Sequence, residues 1–147
     1  KLELAGSLGA TKTINCNVQD VTTCIKEITN GLGVDYAIEA SGSCEAMELA
    51  FQSTRAGGGL CVLAGNLPVG KTISIDPLDL IKGKKIVGTW GGETQPDNDI
   101  PIYLDLYKTG KLKLSPLITQ TYKLEEINQA LEELEQGKLG RGLIEMV

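Results

Sequence analysis

Gly33-Val34-Asp35-Tyr36-Ala37-Ile38-Glu39-Ala40-Ser41-Gly42 and Gly57-Gly58-Gly59-Leu60-Cys61-Val62-Leu63-Ala64-Gly65 are the two stretches whose reading decides the fold. Val34 to Ala40 has the length and composition of a strand, and Ser41-Gly42-Ser43 then turns the chain into a helix from Glu45 to Ser53. Glu45 falls in the first turn of that helix, where a carboxylate suits the helix dipole. Leu60 to Ala64 is a short continuous apolar run of the kind found where a strand is covered on both faces. Strand, helix and strand joined by connections this short predict right-handed crossovers in a parallel sheet, so the expected fold is a doubly wound α/β sheet.

Working toward the N-terminus, Asp20 caps a helix whose Val21, Cys24, Ile25 and Ile28 fall on one face, and Asn30-Gly31 ends it. Lys12-Thr13-Ile14-Asn15 is expected as a strand, and Leu4 and Leu8 before Gly9-Ala10 as the last turns of a helix. Toward the C-terminus, Asp76-Pro77 opens a short helix that Gly83 closes, and Lys85 to Trp90 reads as a further strand. Asp99 is expected to cap a helix with Ile100, Tyr103, Leu104 and Tyr107 on one face. A strand at Leu117-Ile118-Thr119 precedes a helix striped by Leu124, Ile127, Leu131 and Leu134 and ended by Gly137. Leu143 to Val147 is the expected closing strand.

With 147 residues, 41% of them apolar and 22% charged, the chain has the composition of a globular domain able to bury a core. A net charge of −5 without a Lys- or Arg-rich run gives no footprint for nucleic acid or an anionic membrane surface. No apolar stretch approaches the roughly 20 residues of a membrane helix, and the first residues do not form a signal peptide, so a cytoplasmic setting is expected. Cys16, Cys24, Cys44 and Cys61 never fall as C-x-x-C; the expectation is four small buried apolar residues, neither a zinc set nor a redox pair. There is no histidine, the most frequent metal ligand and general base. The start at Lys1, within a helix and without methionine, suggests a piece of a longer polypeptide.

In an open parallel sheet, ligands sit outside the carboxyl ends of the strands. Three such ends stand out: Ala40-Ser41-Gly42, Ala64-Gly65-Asn66 and Gly88-Thr89-Trp90. Glycine there lets backbone approach a flat ligand, although glycine after a strand is also simply a turn. The triple glycine at 57–59 follows a helix and opens a strand, the reverse of a phosphate loop, and is expected to be a turn. Arg141, between Gly140 and Gly142, is either a surface cation or a bidentate partner for a phosphate. Asp35, Glu39 and Asp79 are the candidates for acid or base work, and none has an evident partner. No catalytic role within the chain is assigned.

These segments together resemble the coenzyme domain of the zinc-containing alcohol dehydrogenases of the medium-chain dehydrogenase/reductase family. The resemblance runs from Leu8-Gly9-Ala10-Thr11 through the two strand segments quoted above to Ile86-Val87-Gly88-Thr89-Trp90-Gly91-Gly92. It continues through Tyr107-Lys108-Thr109-Gly110-Lys111, Leu117-Ile118-Thr119 and Leu124 to Ala130, and ends at Gly137-Lys138-Leu139-Gly140-Arg141-Gly142. It covers essentially the whole chain, in order. The resemblance implies that Ala40, Ser41 and Gly42 lie against the adenosine side of NAD, or of NADP. It implies that backbone at Ala64, Gly65 and Asn66, and at Thr89, Trp90 and Gly91, bonds the nicotinamide carboxamide. Arg141 matches an arginine that reaches the pyrophosphate, and Lys1 a basic residue near the adenosine ribose.

The family's G-x-G-x-x-G turn, its NAD-selecting acidic residue and its zinc ligands match nothing in this chain and would precede Lys1. The resemblance therefore implies an incomplete Rossmann-type sheet lacking its first β-α-β unit, with residues 1–89 from the dinucleotide-binding domain. Residues 90–147 would be the C-terminal segment that returns to the catalytic domain. The implied enzyme moves hydride between an alcohol or aldehyde and NAD(P), with zinc held by the missing N-terminal part. It is a homodimer or homotetramer, and this chain alone is inactive. A zinc-free quinone or enoyl reductase of the same superfamily, a self-standing nucleotide-binding module and an oligomerisation fragment are the other readings left open.

Overall fold

A computed structural model describes residues 1–146; Val147, at the end of the expected closing strand, lies outside the described residues. They fall into two compact units, one of Ile14–Thr94 and one that joins Lys1–Thr13 to the stretch from Gln95 onward.

In the first unit, α2 (Val21–Ile28) starts at Asp20, whose side chain accepts from the Thr23 amide at 2.7 Å. Asn30 and Gly31, both at positive φ, end it. Strand β1 (Tyr36–Glu39) leads through Ser43, the N-cap, into α3 (Cys44–Ser53). Strand β2 (Leu60–Leu63), helix α4 (Pro77–Ile81) and strand β3 (Lys85–Gly88) follow. The sheet order is β1-β2-β3 and both pairings are parallel, with Ala37 opposite Cys61 and Cys61 opposite Ile86. This is the parallel α/β architecture that the apolar runs predict. Fully buried Phe51 of α3 and Cys61 of the central strand, with Met47, form the core. The outer strand β1 leaves Tyr36 and Ile38 each 73% exposed.

The triple glycine is a turn. Gly57 donates its amide to the Lys82 carbonyl at 2.8 Å and Gly58 to the Gly83 carbonyl at 2.9 Å, so these donors close the end of α4.

In the second unit, α1 (Leu2–Ser7) is followed by Gly9 at positive φ. Helix α5 (Pro96–Lys108), strand β4 (Ile118–Lys123), helix α6 (Ile127–Glu135) and strand β5 (Arg141–Glu145) complete it, with β4 and β5 parallel. Tyr122, Ala130 and Leu139 are buried together, with Ile144 packed against them.

Four expectations need correction. Residues 12–15 form no strand: no ladder partner faces them among the described residues, and Asn15 instead organises a turn by accepting from the amides of Asn17 and Val18. Asp99 is not the cap of α5. Pro96, whose fixed φ suits a first helical position, starts the helix early, and Asp99 accepts from the Gln95 amide at 2.8 Å. Strand β5 begins at Arg141, two residues early, because Arg141 pairs with Ile118 while Gly140 donates to Thr119 Oγ1 at 2.9 Å. The cysteines are not uniformly buried: Cys61 is, Cys24 and Cys44 are half-buried, and Cys16 is exposed on the turn before α2. A small apolar side chain on a surface turn has no core to enter.

Candidate site at the carboxyl edge of the parallel sheet

Because β1, β2 and β3 are adjacent and parallel, the turns that follow them emerge side by side on one edge. Two of these turns, at Ala40-Ser41-Gly42 and Ala64-Gly65-Asn66, are in close backbone contact. A Cβ on Gly42 would stand 2.4 Å from the Asn66 carbonyl oxygen, and one on Gly65 2.3 Å from the Gly42 nitrogen. No other residue type fits either place without moving the backbone. Gly42 also takes φ +76°, a conformation that side chains disfavour. The third end is tied to the second by Thr89, whose amide donates to the Leu63 carbonyl at 3.0 Å. Trp90 beyond it is 84% exposed, and Gly91, at positive φ, opens a single 3-10 turn closed by Thr94 Oγ1 donating to the Gly91 carbonyl at 2.6 Å.

Glu39, the last residue of β1, lies beneath the first two turns and is only 4% exposed. Its Oε1 accepts from the Ser41 amide at 2.6 Å, from the Ser41 hydroxyl and from the Gly42 amide at 3.0 Å. Its backbone carbonyl accepts from the amides of Ala64 at 2.8 Å and Gly65 at 3.0 Å. One residue thus takes up five donors from both turns. Oε2 is buried without a hydrogen-bond partner, facing Gly65. Burial pushes the carboxyl up, but the hydrogen bonds from Ser41 and Gly42 together outweigh it and hold the group below the ordinary carboxylate value. Burial, and then the Glu39 charge, push the neighbouring Cys61 thiol up.

The other acidic candidates have plain structural partners. Exposed Asp35 pairs with half-buried Arg55, and Asp79 pairs with Lys84 at 3.0 Å. Lys84 also donates to the Gln52 carbonyl at 2.9 Å. An apolar trough of 590 Å³ runs along β1 between α2 and α3, lined by Ile25, Ile38, Leu49 and Ala50 and reaching Ala40 and Ser41.

Lys1 and Arg141 lie in the second unit. There they line a common hollow of 370 Å³ with Leu117, Leu134, Leu139 and Gly140. Among the described residues no three His, Cys, Asp or Glu side chains come together as a metal-binding set, so a zinc ion does not fit the donors this chain offers. No helix among them is long and apolar enough to cross a membrane.

Sequence reasoning noticed Glu39 as a titratable group and missed what it holds. A carboxylate that ends a strand, with Ser and Gly two and three residues on whose amides can fold back onto it, is the signal that was available.

Parallel strands that end in glycine turns on one edge are the arrangement of a dinucleotide-binding domain. The sequence pattern of the family described as zinc-binding dehydrogenase matches residues 1–109. The chain is 36% identical over 149 residues to alcohol dehydrogenase-like 2 of Arabidopsis thaliana, a match covering 99% of this chain and 38% of that protein. It superimposes on the crystal structure of benzyl alcohol dehydrogenase from Acinetobacter calcoaceticus with a TM-score of 0.91 at 35% identity, covering 99% of this chain and 40% of that one. A zinc-binding dehydrogenase from Sinorhizobium meliloti bound to NADP matches with a TM-score of 0.74 at 27% identity, over 88% of this chain and 37% of that one. The chain belongs to the zinc-binding dehydrogenase family, within the medium-chain alcohol dehydrogenases. It spans about 38% of the length of the curated relatives it matches.

Proposed function

We propose that this chain is the C-terminal share of an oxidoreductase that transfers hydride between an alcohol and NAD or NADP. The observation that carries the reading is the alignment of three parallel strand ends, two of them in backbone contact through Gly42 and Gly65. At Gly42 and Gly65 such an edge offers a flat ligand bare backbone. The dinucleotide bound to a relative of the same fold supports it. The fully occupied amides of Ser41, Gly42, Ala64 and Gly65 favour a ligand part that donates rather than accepts.

In this reading Ala40, Ser41 and Gly42 face the adenosine side, and backbone at Ala64, Gly65, Asn66, Thr89, Trp90 and Gly91 serves the nicotinamide carboxamide. Arg141 serves the pyrophosphate and Lys1 the adenosine ribose. The coenzyme supplies the hydride acceptor; these residues bind and orient it. Residues 1–89 belong to the dinucleotide-binding domain and residues 90–147 to the catalytic domain. Zinc is held by residues outside this chain, and the enzyme is a cytoplasmic homodimer or homotetramer.

Coenzyme reduction followed at 340 nm with a panel of primary, secondary and aromatic alcohols tests this. The full-length protein carrying residues 1–147 should turn over, and the isolated chain should not. Turnover by the isolated chain, or no coenzyme binding by the full-length protein, refutes the proposal.

A further inference from the structure

We infer that Glu39 is a positioning residue that locks the two turns after β1 and β2 into a single ligand-facing surface, with the amides of Ser41, Gly42, Ala64 and Gly65 turned inward onto it. This rests on the dinucleotide reading of that edge. The geometry behind it is local: the side chain gathers three donors from Ser41 and Gly42, and the backbone carbonyl of the same residue gathers the amides of Ala64 and Gly65. Gly65 lacks a side chain at the place where Glu39 Oε2 and the Gly42 nitrogen would both collide with a Cβ. The carboxylate thus fixes the first turn, and the carbonyl of the same residue holds the second turn beside it.

The amides of Ser41 and Gly42 are backbone donors at a strand end. Held by Oε1 they are withdrawn from any ligand, so this turn cannot grip a phosphate. A carboxylate suits the task because one oxygen can accept from three converging donors, and charge strengthens each bond in a buried setting. A glutamine would keep the shape and surrender the charge. It would also set an amide group against Gly65, where Oε2 finds no partner.

The test uses the full-length protein carrying residues 1–147, with NADH and NADPH as probes. Residue-resolved amide exchange on the wild-type protein comes first. The Ser41 and Gly42 amides should exchange at least a hundredfold more slowly than free peptide without coenzyme, with less than threefold further slowing when coenzyme is added. Free exchange that slows only with coenzyme overturns the inference. In steady-state kinetics, Glu39→Gln should raise the coenzyme KM about tenfold while kcat at saturation stays within threefold. A merely structural residue would lower the active fraction, reducing kcat at constant KM, and that result overturns the inference. If Glu39→Gln does not fold, the wild-type exchange experiment decides alone. Failure of the wild-type protein to bind either coenzyme refutes the dinucleotide reading, while the exchange of Ser41 and Gly42 still reports on the lock.

Discussion

Glu39 Oε2 lies 2.6 Å from the point where a Cβ on Gly65 would stand, so the end of one strand determines what the turn after its neighbour can carry. The restriction is one of space, since Gly65 is not among the glycines at positive φ. Gly65→Ala should therefore behave as an overpacking substitution, destabilising the full-length protein by about 1–3 kcal/mol. Denaturant unfolding with intrinsic fluorescence measures this; a midpoint equal to wild type would show that the two turns have room to part.

The depressed titration of Glu39 gives acid stability a definite sign. A carboxyl held below its ordinary value of 4.5 in the folded state contributes stability fully above that value, and loses it as pH falls through the lower folded value. Unfolding free energy should fall below pH 4.5 more steeply for wild type than for Glu39→Gln. Identical pH slopes for the two proteins would contradict the assignment.

Tyr122 gives the opposite window. Its hydroxyl donates to Glu133 Oε2 at 2.6 Å, and burial first, then Glu133, push it up to about 12. A folded value raised above the ordinary 10 contributes stability that is whole below pH 10 and lost between there and about 12. Absorbance titration at 295 nm should show one late-ionising tyrosine that disappears in Tyr122→Phe.

Phe51 is the fully buried aromatic of the first unit, with the Lys84 ammonium 5.5 Å from its ring centre. Phe51→Ala should cost about 3–5 kcal/mol, the range for truncating a core aromatic. Calorimetry of the full-length protein checks it, and a loss below about 1 kcal/mol would mean the core is placed elsewhere.

Arg141 tests the dinucleotide reading from the second unit. Arg141→Ala should weaken NADH binding about tenfold, or ~1.4 kcal/mol, and Arg141→Lys should recover only part, because an ammonium lacks the planar fork. Titration calorimetry at two salt concentrations measures both. Unchanged affinity in the alanine variant would remove Arg141 from the site.

Much of this architecture was legible because it rests on local rules. Val34 to Ala40 reads as a strand from its length and composition and Leu60 to Ala64 from its continuous apolar run, and Asp20 and Asp76 read as caps that the structure keeps. What was not legible depends on partners distant in sequence. Residues 12–15 have a strand-like composition, yet a strand exists only against a neighbour. Arg141 joins β5 because Ile118 and Thr119 hold it and the preceding Gly140 there. The task of Glu39 depends on Gly65 approaching from another turn, which no inspection of Glu39-Ala40-Ser41-Gly42 alone would reveal.

The outward side of β1 carries a further consequence. Tyr36 and Ile38 stand open beside a row of main-chain groups with no ladder partner among the described residues. Such a margin accepts any extended segment that comes near, including the same margin of a sister molecule. A preparation of these residues by themselves would be prone to self-templated clumping, and a lysine placed at Ile38 would be the simplest guard against it.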